Sequence, residues 1–240
     1  MGKPRPTCVA IDGPVASGKT VAGRSVADKV GFRFLDTGAM YRAATLAALQ
    51  RGIDFDDGPA LTEMAGSIQL KLASQSGERL FLDGVDVSDE LRDPQVDQGV
   101  SLVSKAPGVR HALVARQQAI AGAGGIVMVG RDIGTVVLPD APVKVFLTAS
   151  VEVRARRRYE ESRAENDATT YEKVLVQLRR RDKIDSERDQ SPLRPANDAV
   201  VIATDDMSVP ELTAEILRIA ETNGIRPIGG SGLETEASDR

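Results

Sequence analysis

The sequence predicts an α/β protein of three layers, with helices on both faces of a doubly wound, five-stranded parallel sheet and a small antiparallel sheet inserted into it. Three observations carry this. The first fifty residues run strand, glycine-rich loop, helix, strand and helix with short connections, the pattern of a parallel βαβ unit. Later apolar runs at 126–129, 143–147 and 199–203 are continuous, as in strands buried on both faces. Between about Asp54 and Ser104 the apolar period falls to two, which marks the inserted sheet.

The elements follow in order. Residues 7–11 form the first strand, and a helical pattern from Lys19 to Val30 closes at Gly31. Residues 32–35 make the second strand, and an Ala-rich helix over 39–50 stops at Gly52. Ile68-Gln69-Leu70-Lys71-Leu72 alternates, Gly77 marks a turn, and Leu80-Phe81-Leu82 resumes the alternation. Asp83-Gly84 then predicts a tight turn before Val85-Asp86-Val87. Residues 109–121 return to helix. Ser150 can cap a helix that carries Arg154, Arg156, Arg157 and Arg158. Thr169 with Glu172 predicts a capping box for a long helix reaching about Arg188, and Ser208 with Glu211 caps the last helix, which ends near Gly224. Beyond Arg226, the glycines at 229, 230 and 232 among polar residues read as a mobile tail.

Composition narrows the function by exclusion. Of 240 residues, 41% are hydrophobic and 28% charged, an ordinary globular balance. The net charge of −4 offers no broad attraction to nucleic acid or to an anionic membrane, so any anion site must be local. Cys8 is the lone cysteine, which excludes an internal disulfide and suits a reducing cytoplasm; within an apolar run it reads as a small core side chain. No window of about 20 apolar residues spans a bilayer, and the apolar stretch at 8–11 is too short for a signal-peptide core. The expectation is a cytoplasmic protein with neither a membrane nor a nucleic-acid partner.

Gly13-Pro14-Val15-Ala16-Ser17-Gly18-Lys19-Thr20 satisfies G-x-x-x-x-G-K followed by Ser or Thr, between a strand and a helix. Glycines let the backbone curl so that successive N–H groups point at phosphate oxygens, and the helix N-terminus adds roughly half a positive charge. This predicts the phosphate loop, or P-loop, of an NTPase fold, with Lys19 reaching the β- and γ-phosphates of ATP and Thr20 Oγ1 on Mg²⁺. A GTPase is not indicated, because no N-K-x-D guanine reader is present. An ATPase motor is not indicated either, since the strand at 126–129 ends in Gly130-Arg131-Asp132 rather than directly in a carboxylate. Arginines placed after strands and along helices instead suit a second, anionic substrate. A kinase for another small anionic acceptor and a non-catalytic ATP-binding protein stay as alternatives.

Gly13-Pro14 with Ser17-Gly18-Lys19-Thr20, Asp36-Thr37-Gly38-Ala39-Met40-Tyr41-Arg42, Gly130-Arg131-Asp132-Ile133-Gly134-Thr135-Val136-Val137, and Arg181-Asp182 with Asp185 and Arg188 together resemble the bacterial cytidylate kinases, from about Thr7 to Gly224. The resemblance implies transfer of the γ-phosphoryl of ATP to CMP or dCMP, Mg²⁺-dependent, by a monomer. It implies a core over 1–53, 105–150 and 171–225, an acceptor-binding insertion over 54–104, a short arginine-bearing lid over 151–170 and a tail over 226–240. ATP would lie on the loop from Gly13 to Thr20 and on Val21. The acceptor would meet Thr37, Tyr41, Arg42, Ser101, Arg110, Arg131, Asp132, Asp185 and Arg188, with Arg42 and Arg131 on its phosphate. Arg110 and Asp132 would sit on the cytosine, and Asp185 and Arg188 on the ribose hydroxyls. Lys19, Arg131, Arg181 and lid Arg158 would supply the catalytic cations, and Thr20 and Asp36 the metal site.

Each residue also has a plainer reading. Asp36 can simply cap the next helix. Arg181, Asp185 and Arg188, at i, i+4 and i+7, can be an ion-paired helix face. Arg131 and Asp132 diverge as chain neighbours and should not pair, whereas Asp132 with Arg110 can. His111 is given no catalytic role. Four positions depart from the family pattern: Val15, Ala16 and Val21 in and after the loop, and Val129, where an acidic residue near the acceptor is frequent.

Overall fold

The computed structural model describes residues 7–72, 79–164 and 169–228. The expected turn at Gly77 and the tail glycines lie outside them. Five strands, β1 (Cys8–Asp12), β2 (Arg33–Asp36), β6 (Ile126–Gly130), β7 (Val143–Thr148) and β8 (Val200–Ala203), form one sheet in the order β2-β6-β1-β7-β8. All four pairings are parallel. Alternate residues feed opposite cores. Val9, Ile11, Val127, Val129, Val143 and Val145 pack with α1 (Lys19–Val30) and α8 (Val209–Thr222), while Cys8, Ala10, Leu35 and Met128 pack with α2 (Thr37–Gln50), α3 (Gly58–Ser67) and α5 (Pro107–Ala121). Continuous apolar strands are the direct result of a sheet covered on both faces.

The insertion is an antiparallel sheet of β3 (Leu70–Leu72), β4 (Leu80–Leu82) and β5 (Val85–Asp86), as the alternation predicts. Asp83 and Gly84 join β4 to β5 with φ of 50° and 89°, the pair of positive angles a type I′ turn demands. The insertion also holds α3 and α4 (Pro94–Val103), which the alternating pattern hid. The helix that carries Arg154, Arg156, Arg157 and Arg158 is α6 (Val151–Ala164), whose Val153 N–H donates to Ser150 Oγ at 3.4 Å. The long helix α7 spans Tyr171–Glu187. Its cap is Thr170, not Thr169: Thr170 has the extended backbone of a capping residue and accepts from Lys173 N–H, so no capping box forms there. Ser208 and Glu211 do form the reciprocal box on α8.

Register decides where the site lies. Asp12 stands opposite Gly130, and Asp36 opposite Val129. The P-loop, the start of α2 and the Arg131-Asp132 segment therefore leave the sheet side by side, at the carboxyl edge where ligands bind in doubly wound folds.

Candidate active site

One side of the site is built on β1, the loop and α1. Gly13 has φ 148°, and a Cβ there would stand 2.2 Å from the Leu147 carbonyl oxygen, so the chain turns only with glycine. Ala16 takes φ 57°, a left-handed conformation that costs a non-glycine residue roughly 1–2 kcal/mol. Lys19 is buried, donating through Nζ to Pro14 O and to Ser17 Oγ, the latter at 3.2 Å. Burial and then the nearby Arg131 hold its ammonium well below the ordinary lysine value. Thr20 Oγ1 donates to Asp36 Oδ2 at 3.0 Å, while Asp36 Oδ1 accepts from Gly38 N–H at 2.9 Å. Asp36 thus caps α2, as its plainer reading has it, and its second oxygen accepts from Thr20.

A pocket opens from the loop between α2, α4, α5 and α7. Thr37, Tyr41, Arg42, Ser101, Arg110, Arg131, Asp132, Arg181, Asp185 and Arg188 all line it. Arg110 and Asp132 form an ion pair, both almost wholly buried, and the Arg110 guanidinium lies 5.4 Å from the Tyr41 ring centre. Arg131 Nε donates to Asp185 Oδ2 at 3.1 Å, so Arg131 turns to α7 rather than to its chain neighbour. Arg188 follows the last turn of α7 in extended backbone and donates to Ser191 O at 2.6 Å. Burial, then Arg131 and Arg42, lower Arg181 to about 10. Burial pushes the Tyr41 hydroxyl up to about 12. Three buried guanidinium donors in this wall, Arg110 Nε, Arg181 Nε and Arg188 Nη2, have no hydrogen-bond partner among the described residues. Buried donors are seldom left unpaired, and these suit an anionic, hydroxyl-bearing ligand.

The lid arginines divide. Arg154 is buried, forks onto Asp182 of α7 at 2.7 and 3.2 Å and donates to Ala149 O and Val15 O. Arg157 binds Thr204, whose hydroxyl donates to Ser17 O at 3.3 Å. Both are committed to the frame. Arg158 remains in the cleft, beside Val15 and Asp97, with Glu161 at 3.3 Å.

The comparison with known proteins bears on this geometry. The family model described as Cytidylate kinase matches residues 9–222. The chain belongs to the cytidylate kinase family. Among relatives named cytidylate kinase, that of Geobacillus thermodenitrificans is 50% identical over 217 residues, covering 90% of this chain and 96% of its own. Those of Bacillus velezensis and Bacillus subtilis are 48% and 45% identical over 214 residues, covering 89% of this chain and 96% of theirs.

Two residues of this cytidylate kinase family member escaped the sequence reading. Asp97 of α4 accepts from Arg42 and Arg181, a contact between residues 55 and 84 positions apart. Asp12 is buried at the end of β1 and accepts from the N–H groups of Ile133 and Gly134, both at 2.8 Å. It thereby anchors the turn that follows Asp132. The signal was present, in a carboxylate ending an apolar strand directly before Gly13, but its partners are 121 and 122 residues away.

Burial raises the Asp12 carboxyl from 3.8 to about 6. Between those values the folded chain retains a proton that the unfolded chain has lost. The group's contribution to stability therefore declines as pH rises from about 4 to about 6, and is constant above. The stability advantage of the native chain over Asp12→Asn should shrink across that window by up to about 3 kcal/mol, read from urea melts at each pH. A difference that does not vary with pH contradicts this.

Two departures from the family pattern, Val15 and Val129, acquire reasons. Val15 packs against Ala155, Val174 and Leu178, and so ties the loop to the lid and α7. Val129 does not face the acceptor. It lies on the α1 side of the sheet, in the space above Gly23, where a Cβ would come within 2.6 Å of its Cγ1. Only its carbonyl turns towards the site, accepting from Thr37 Oγ1 at 2.9 Å. Val21 is 57% exposed on the first turn of α1, and nothing in the structure explains it.

Proposed function

We propose that this chain transfers the γ-phosphoryl group of ATP to CMP or dCMP, giving ADP and CDP or dCDP, with donor and acceptor meeting between Lys19 and Arg131. The carrying observation is a single pocket with the P-loop at one end and the buried Arg110–Asp132 pair at the other. The loop amides and Lys19 receive the donor's phosphates. Arg42, Arg131 and Arg181 receive the acceptor's phosphate, and Arg158 approaches from the lid. Asp132 accepts from the exocyclic amine of cytosine, as carboxylates do when reading that base. Asp185 and Arg188 meet the ribose.

Thr20 and Asp36 offer hard oxygen donors 3.0 Å apart, a set that suits Mg²⁺ held mainly by nucleotide phosphates. Mg²⁺ there would neutralise charge between the β- and γ-phosphates. The acceptor oxygen is already anionic, so transfer needs little base assistance; positioning and charge stabilisation supply the catalysis. The buried thiol of Cys8 supports a reducing cytoplasm, and among the described residues no helix is long and apolar enough to cross a membrane.

The test is ADP release measured across CMP, dCMP, UMP and AMP. The cytosine nucleotides should turn over fastest; equal rates across the four would overturn the assignment.

A further inference from the structure

Asp97 stands on α4, one turn before Ser101, so both project from the same helical face. Its Oδ1 accepts from Arg42 Nη2 of α2 at 3.0 Å and from Arg181 Nη1 of α7 at 3.3 Å. A carboxylate oxygen from the insertion thus takes donors from two of the three guanidinium groups assigned above to the acceptor's phosphate. The side chains of Asp97, Arg42 and Arg181 are 32%, 26% and 15% exposed, so the contact is sheltered but open to exchange.

The arginines need such a partner. Arg181 has both Arg131 and Arg42 as repelling neighbours, and buried Lys19 is close by. Arg131 has its own carboxylate in Asp185, which is 6% exposed and rooted in α7. Asp97 answers the remaining two cations from a separate element. Its own burial pushes its carboxyl up, but Arg181, Arg42 and Arg158, with the Arg42 hydrogen bond, together hold it below the ordinary aspartate value.

We propose that Asp97 is the counter-ion of the acceptor-phosphate subsite while that subsite is empty, and that the incoming phosphate displaces it from Arg42 and Arg181. The proposal rests on the reading that these two arginines hold the acceptor's phosphate. Two anions cannot share the same pair of guanidinium groups without repelling each other. A phosphate oxygen that takes the same N–H groups of Arg42 and Arg181 therefore displaces the carboxylate from them. A nucleotide also gains contacts to base and ribose; free phosphate gains none. The cost falls on free phosphate and CMP alike, so Asp97 lowers occupancy of the subsite by free phosphate without changing the ratio of the two affinities.

Asp97→Asn keeps the shape and removes the charge. Calorimetric titration with inorganic phosphate, CMP and cytidine reads the effect. The dissociation constants for phosphate and CMP should each fall roughly three- to tenfold, as expected for a partly sheltered ion pair, with cytidine unchanged. Asp97→Ser should act in the same direction, which covers an asparagine that rebuilds the contacts or a variant that folds poorly. Unchanged or weaker CMP binding in both variants overturns the proposal, since Asp97 would then be holding the arginines in place for the ligand. Arg42→Gln and Arg181→Gln test the underlying reading separately. They should weaken CMP and spare cytidine; if CMP binding survives both, the phosphate assignment falls and this proposal with it.

Discussion

Replacing Lys19 with methionine should lower kcat/KM for CMP by roughly 10²–10³-fold while leaving the fold intact, since removing one preorganised charge from a transition state typically costs that much. Lys19 opens α1, with its ammonium wrapped by Pro14 O and Ser17 Oγ inside the loop. Its environment disfavours the charge, through burial first and Arg131 second. An arriving polyphosphate reverses that balance, and the ammonium's full charge then bears on the oxygens between which the phosphoryl group moves. Methionine fills the same channel but supplies no charge. It also relieves repulsion from Arg131 and Arg181, at the loss of attraction to Asp36 and Asp12, so thermal stability should change little. Steady-state kinetics beside a melting curve separates the two effects. An unaltered rate would remove Lys19 from the transfer.

Asp132→Ala should destabilise the chain by about 3–5 kcal/mol, the usual cost of removing one partner from a buried pair. The Arg110 guanidinium would be left buried, with the Ser104 carbonyl at 3.3 Å and the face of Tyr41 as its remaining company. Pairing the change with Arg110→Met should recover much of the loss, because the stranded cation goes too. Asp132→Asn is the milder probe. Its amide keeps a carbonyl acceptor and adds an N–H₂ group that can donate to the O4 of uracil. The preference for CMP over UMP should therefore narrow. Denaturant melts and the acceptor panel read the two parts, and a double variant no more stable than Asp132→Ala would contradict the first.

What the sequence revealed follows from how local each signal was. The P-loop was legible because its chemistry is contained in eight consecutive residues and the flanking strand and helix. The acceptor residues emerged by family resemblance, not by spacing: Arg42, Arg110, Asp132 and Asp185 lie on separate elements that only the fold brings together. Helices α3 and α4 could have been read, since Asp57 with Pro59 and Asp93 with Pro94 are starts of the N-cap and first-turn proline kind. The alternation of the neighbouring strands drew the eye instead. The one-residue error between Thr169 and Thr170 reflects two adjacent threonines of equal capping ability, a choice that backbone angles make and composition does not. Nothing in the sequence separates Arg154 and Arg157 from Arg158 on their shared helix, because their partners, Asp182 and Thr204, are 28 and 47 residues distant. The misplaced Val129 shows the same limit: in a strand covered on both faces, residue type does not reveal which way a side chain turns.

The fork of Arg154 on Asp182 has a thermodynamic consequence. With Ala155, Val174 and Leu178 packed beneath it, and Tyr159 edge-on to Tyr171, it fastens α6 to α7 as one hairpin. Arg158 and Arg181 therefore sit on one packed pair of helices. Whatever factor ATP imposes on the affinity for CMP, CMP must impose on the affinity for ATP.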